Sequence, residues 1–206
     1  MSPRLAVMGA VALGLAWASP WLLPRGGFAL HMTAHVAVVA VAAPLLALAM
    51  AGGPLDLARR APRCFPPVPW SLVELVVVWA WHAPALHHLA RHTVAGRVAE
   101  QGTFLATSLA VWLSAVGGPH DRPRRRGAGV VALLLTSMHM TLLGALLALS
   151  PRALYPGCSG ASALSAIDDQ HLGGAVMLLV GGASYLAGGV ALTAGLLRAA
   201  PLGARP

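Results

Sequence analysis

Hydrophobic and polar positions along this chain fall into long blocks. Six apolar runs, at roughly 5–23, 31–50, 70–90, 97–117, 128–149 and 171–197, are separated by polar stretches such as "AGGPLDLARRAPRCFPPVPW" and "GGPHDRPRRRGAG". A helix needs about 20 apolar residues to cross a hydrocarbon core of about 30 Å, so each run predicts one membrane span. The expectation is an all-α, polytopic transmembrane helix bundle of six spans forming one domain over residues 1–206. The fourth run is the least regular, because Arg97, Glu100 and Gln101 occupy its first turns. Pro44 and Pro84 fall inside runs, which neighbouring helices tolerate in a membrane. Pro84 is expected to free the Ala80 carbonyl and kink the third span beside His82.

Composition supports the membrane class, with 57% hydrophobic and 10% charged residues. All 14 basic residues are arginine and the formal net charge is +8. Basic loops between apolar spans are ordinary in membrane proteins, so nucleic acid is not an expected partner. The first run also has the outline of a cleavable signal peptide, with Arg4, an apolar stretch and the small-x-small "AWA" at Ala16 to Ala18. It continues through Trp21 to Leu23, which is long enough to span, and a retained helix is the expectation.

Arginine placement orients the chain. On alternating sides of the six spans, ten arginines share the side of the N-terminus and four, Arg25, Arg91, Arg97 and Arg152, lie opposite. Positive loops stay in the cytoplasm, so both termini are expected there, with "IDDQHLGG" facing outward. Cys64 and Cys158 then fall on opposite sides and do not pair.

With that orientation the histidines become informative. Of nine, only His120 is in a cytoplasmic loop. His31 and His35 open the second span from outside, His82, His87 and His88 lie toward the outer end of the third with His92 just beyond, His139 is near the middle of the fifth, and His171 opens the sixth. Met32, Met138, Met140 and Met177 lie close to these positions. Ionisable groups in lipid are costly, so a one-sided cluster across several spans points to function. Imidazole with thioether suits copper, Met favouring Cu(I) and carboxylate or imidazole accommodating Cu(II). His31 and His35, four apart, share a helix face, as do His88 and His92. Met138, His139 and Met140 cannot converge from a regular helix, since successive residues turn by about 100°.

Singly, each residue has a plainer explanation. A histidine in a helix bundle is commonly hydrogen-bonded to a carbonyl or hydroxyl, and methionine commonly packs. Asp168 is placed to cap the sixth helix. Trp17, Trp21, Trp70 and Tyr155 read as interfacial anchors. Packing alone does not account for the one-sidedness of the set.

The chain also resembles the polytopic CtaG family of cytochrome c oxidase assembly factors, from about Pro20 to Leu197. The resemblance rests on "HMTAHVAVVAVAAPLLAL", "WHAPALHHLA", "EQGTFLATSLAVW", "LSPRALYPG" and "LSAIDDQHLGGAVM" in that order. It implies a bacterial inner-membrane protein needed to mature haem-copper oxidases, with oxidase subunits, lipid and an external copper donor as partners. Its motif positions fall on His31, Met32, His35, Trp81, His82, Pro84, Glu100, Tyr155, Asp169, Gln170 and Met177. Where relatives carry an aromatic, a histidine and a tryptophan, this chain has His87, Gln101 and Leu178.

The combined expectation is a copper metallochaperone and not an enzyme, since no nucleophile with a base and no phosphate loop is present. It would bind Cu(I) transiently. The candidate ligands are an outer layer of His31, His87, His88, Asp169 and His171 and an inner layer of His35, His82 and His139, with Met32 and Met138 beside them. A haem-bearing redox protein using the same histidines, and a copper transporter, are the alternatives. The transporter is disfavoured because the inner halves of the spans read as almost bare of polar residues.

Overall fold

The computed structural model describes residues 2–22, 27–118, 123–155 and 164–199, all helix and short connections with no strand among them. His120, Asp121 and Cys158 lie outside the described residues. Eight helices follow in order: α1 Pro3–Leu22, α2 Phe28–Met50, α3 Leu57–Arg60, α4 Pro67–His82, α5 Pro84–His92, α6 Val94–Val116, α7 Pro123–Ala148 and α8 Ala166–Ala199. Three stretches, Phe28–Met50, Arg124–Ala148 and Ala166–Arg198, are long and apolar enough to cross a membrane. The other predicted runs also fold as helices, α1 with a shorter apolar stretch, the third run as α4 plus α5, and the fourth as α6.

In the bundle, α7 packs against α8, α4 and α6, while α2 lies between α1, α6 and α8. The α7–α8 crossing is close because glycine faces glycine. A Cβ added to Gly144 would stand 2.9 Å from the Gly174 carbonyl oxygen, and one on Gly174 would stand 2.8 Å from that of Gly144. Small residues that let backbones touch are how helices associate without a hydrophobic driving force.

Both prolines act through the backbone. Around Pro44 the helix loosens into a π-helical stretch, Ala37–Ala42, in which the Ala43 N–H donates to the Val38 carbonyl. Pro44 has no N–H, so the next two carbonyls, Val39 and Ala40, lose their ladder donor. Two side chains of α8 replace it, Ser184 donating to Ala40 at 2.7 Å and Tyr185 to Val39 at 3.2 Å. Backbone groups freed within a membrane persist only when re-satisfied in this way. Pro84 departs from the expectation. It breaks the third run instead of kinking it, with Ala83 extended (ψ 133°) and Pro84 in the first turn of α5. The Ala80 carbonyl is not free, since the Ala83 N–H donates to it at 3.0 Å. The carbonyl left over is that of His82, which accepts the Tyr155 hydroxyl at 2.5 Å.

Polar residues fasten the helix ends. Thr93 caps α6 and buried Asp56 caps α3, the latter also accepting the Gly52 and Gly118 N–H groups. The cap of α8 is Ser165, whose hydroxyl accepts the Asp168 N–H, and not Asp168 itself. An acid in the first turn still suits the dipole there.

Candidate metal centre

His31 and His35 lie one turn apart on the inward face of α2, as their spacing requires, and both are buried. Glu100 and Phe104 repeat that spacing on α6. The break at Ala83 lets the third run contribute twice, with His82 ending α4 and His87 on the buried side of α5. These elements build two tiers. In the upper one, ligand atoms of His31, His87 and Glu100 all lie within 4.8 Å of one another. His31 Nε2 is 3.3 Å from Glu100 Oε1, and the His31 and His87 rings meet edge-on at 4.9 Å between centroids. In the lower tier the His35 and His82 rings make an edge contact at 5.3 Å, and Phe104 lies 4.1 Å from His35.

The lower tier has unspent donor capacity. His82 Nδ1 lies 2.7 Å from the Val78 carbonyl, which can only accept, so the proton belongs on Nδ1 and the Nε2 lone pair is open. Neither that Nε2 nor either nitrogen of His35 has a hydrogen-bond partner among the described residues. Buried polar atoms without partners are rare, and a missing ion is one standard reason. The upper triad also fits an ion in size. Donors at about 2.0–2.2 Å from one first-row ion stand about 3–4.4 Å apart, and the 3.3 Å His31–Glu100 separation already lies in that range.

The remaining candidates are placed elsewhere. Asp169 is buried, and its two oxygens accept the Phe28 N–H at 2.5 Å and the Ala29 N–H at 3.2 Å. It therefore caps the start of α2 from across the bundle, where Gly27 offers no side chain. A Cβ at Gly27 would sit 2.8 Å from the Asp169 Cγ, so only glycine admits the carboxylate. His171 Nε2 lies 2.9 Å from the Ser150 carbonyl oxygen. Gln170 accepts the Leu154 N–H at 2.6 Å and donates to the Leu147 and Arg152 carbonyls. The "DQH" stretch thus fastens α2 and the connection after α7.

His88 is exposed, and its ring lies 4.0 Å from that of His92 on the outer face of α5. Met32 is buried against Gly173 of α8. Met138 is 68% exposed on the flank of the bundle. His139 is buried, with neither ring nitrogen hydrogen-bonded among the described residues, in the wall of a groove of about 990 Å³ between α4, α7 and α8. The triad's donors are two imidazoles and a carboxylate.

Tyr155 corrects another expectation. It is buried rather than an interfacial anchor, stacks on Phe28 at 4.5 Å, lies 4.5 Å from the His87 ring and holds the His82 carbonyl. It therefore braces both tiers. Trp17 is partly exposed and Trp70 donates to the Cys64 carbonyl, while the Trp21 side chain lies outside the described residues. The helix stretches away from the histidine tiers are not bare of polar residues either. Glu74, Ser71, Ser108, Thr136 and Tyr185 are buried there and hydrogen-bonded together, which removes the sequence-based argument against a transport path.

The family model described as cytochrome c oxidase caa3 assembly factor (Caa3_CtaG) matches residues 5–199. Neither the curated proteins nor the solved structures hold a match to the chain.

Proposed function

The chain belongs to the cytochrome c oxidase caa3 assembly factor family, and on that premise we propose that it carries copper to the nascent oxidase, taking the ion as cargo into the His31–His87–Glu100 triad. The observation that carries this reading is the convergence of three buried ligand atoms from three helices within 4.8 Å of one another. The open imidazole nitrogens of His35 and His82 lie one turn further in and give the ion a second position. Imidazole and carboxylate are a donor set that copper accepts. With two imidazoles and a carboxylate as donors, Cu(II) is accommodated as well as Cu(I). The protein's own residues bind and orient the ion, and an assembly role of this kind calls for no catalytic group.

In this reading the helices make six crossings of the bacterial cytoplasmic membrane, α4 and α5 sharing one, with both termini cytoplasmic. The triad then lies toward the outer face. His31 and His87 remain from the outer layer expected of the sequence, and Glu100 joins them. Asp169 and His171 act by holding α2 and Tyr155 in register. A haem between His35 and His82 is disfavoured, since their rings are already in contact at 5.3 Å and leave no gap for a macrocycle.

The test is metal analysis with an optical spectrum of the purified protein and of His31→Ala, His87→Ala and Glu100→Gln variants. Copper near one equivalent without a haem band is expected for the parent, with at least tenfold weaker binding in each variant. A haem band, or full copper retention when all three residues are replaced, would overturn the proposal. In cells lacking the protein the oxidase should be haem-replete and copper-poor.

A further inference from the structure

A second polar cluster lies deeper than the histidines. Glu74 is fully buried on α4, eight residues before His82, or about 12 Å of helical rise. Its Oε1 lies 2.6 Å from the Ser108 hydroxyl of α6 and 2.6 Å from the Tyr185 hydroxyl of α8. Its Oε2 lies 3.3 Å from the Thr136 hydroxyl of α7, which is itself 2.9 Å from that of Ser71. From α2 comes the Val39 carbonyl, 3.2 Å from the Tyr185 hydroxyl. The chain contains no lysine, and among the described residues no arginine or histidine pairs with Glu74. On the facing helices, His35 lies one turn from Val39 and His139 three residues beyond Thr136.

Counting protons assigns the state of this carboxyl. Tyr185 has one hydroxyl proton and two acceptors within reach, the Glu74 carboxyl and the Val39 carbonyl. The Val39 carbonyl can only accept, and Pro44 denies it a ladder donor, so in the membrane interior it needs the Tyr185 proton. The 2.6 Å contact between Tyr185 and Glu74 must then carry a proton supplied by Glu74. With a neutral acid each contact is satisfied, Glu74 donating to Tyr185, Tyr185 to Val39, and Ser108 to Glu74. An ionised Glu74 would leave the Val39 carbonyl orphaned and place a charge without a counter-ion at the centre of the bundle, where both are costly. Contacts of 2.6 Å leave no gap for a metal cation.

We propose that Glu74 is a proton-binding site, holding one proton shared with Tyr185. The Thr136 and Ser71 hydroxyls extend the cluster toward the apolar groove between α4, α7 and α8, which Ser71 lines. The proposal is independent of copper and stands or falls separately from it.

Infrared spectroscopy of the purified protein near neutral pH tests this directly, because the chain has only two glutamates, Glu74 and Glu100. A carboxylic-acid C=O band is expected in the parent and in Glu100→Gln and is lost in Glu74→Gln. Tyr185→Phe should move it upward, since the acid loses its acceptor. If Glu74→Gln does not accumulate, carboxyl-13C glutamate in the Glu100→Gln background labels Glu74 alone, and the band must move with the label. Absence of an acid band, or its survival in Glu74→Gln, or its indifference to the 13C label, would overturn the proposal.

Discussion

Replacing Asp169 by alanine is predicted to destabilise the protein and to resist rescue by copper. Its carboxylate accepts two backbone N–H bonds, at 2.5 and 3.2 Å, from the first turn of α2, and it is buried, so no water takes its place. A hydrogen bond to a charged group contributes about 1.5–3 kcal/mol, the 3.2 Å bond falling at the weak end. The favourable position at a helix N-terminus is included in that figure rather than additional to it. Loss of both bonds should therefore cost about 3 kcal/mol, roughly a hundredfold in the population of the docked helix end. Asparagine should be nearly as damaging, because its NH2 would face an N–H donor. The start of α2 carries His31, so its release also loosens the triad. The assay is thermal unfolding of the purified variants, together with membrane protein level and oxidase activity across a range of external copper. The expected result is reduced protein, a lower melting temperature and no recovery of oxidase activity at high copper. If Asp169→Ala melted like the parent and regained full oxidase activity on added copper, Asp169 would be a collector of metal and the fastening role would be wrong.

Tyr155→Phe removes the hydroxyl that satisfies the His82 carbonyl while keeping the ring on Phe28, so about 1–3 kcal/mol of stability should be lost, with weaker copper binding by equilibrium competition. Met138→Leu should change neither copper stoichiometry nor melting, since the side chain is 68% exposed and the swap conserves volume; a loss of bound copper would return the thioether to the site. Cys64 is exposed on the arginine-rich side, and an impermeant thiol reagent should leave it unlabelled in intact spheroplasts and label it after lysis. Labelling of intact spheroplasts would invert the proposed orientation.

The one-dimensional pattern carried the helices and the class of protein, because burial in lipid is decided by composition over about 20 residues and needs no knowledge of neighbours. It also carried the face shared by His31 and His35, since a four-residue spacing is a property of one helix. What the pattern could not carry is which helix meets which. The triad joins α2, α5 and α6, and His87 reaches it because Pro84 ends one helix and starts another. Asp169 read as a ligand because it stood among ligand types, yet its partners are amides 141 and 140 residues away, and a backbone N–H leaves no trace in the identity of Phe28 or Ala29. For Glu74 the sequence shows an ionisable residue inside an apolar run, "WSLVELVVVW", but not what satisfies it, since its Ser108, Thr136 and Tyr185 partners lie 34, 62 and 111 residues off on three other helices. Polar atoms in a membrane interior must find partners wherever packing brings them, so lipid exposure is written in the sequence while the pairing of buried polar groups is decided only when the helices assemble.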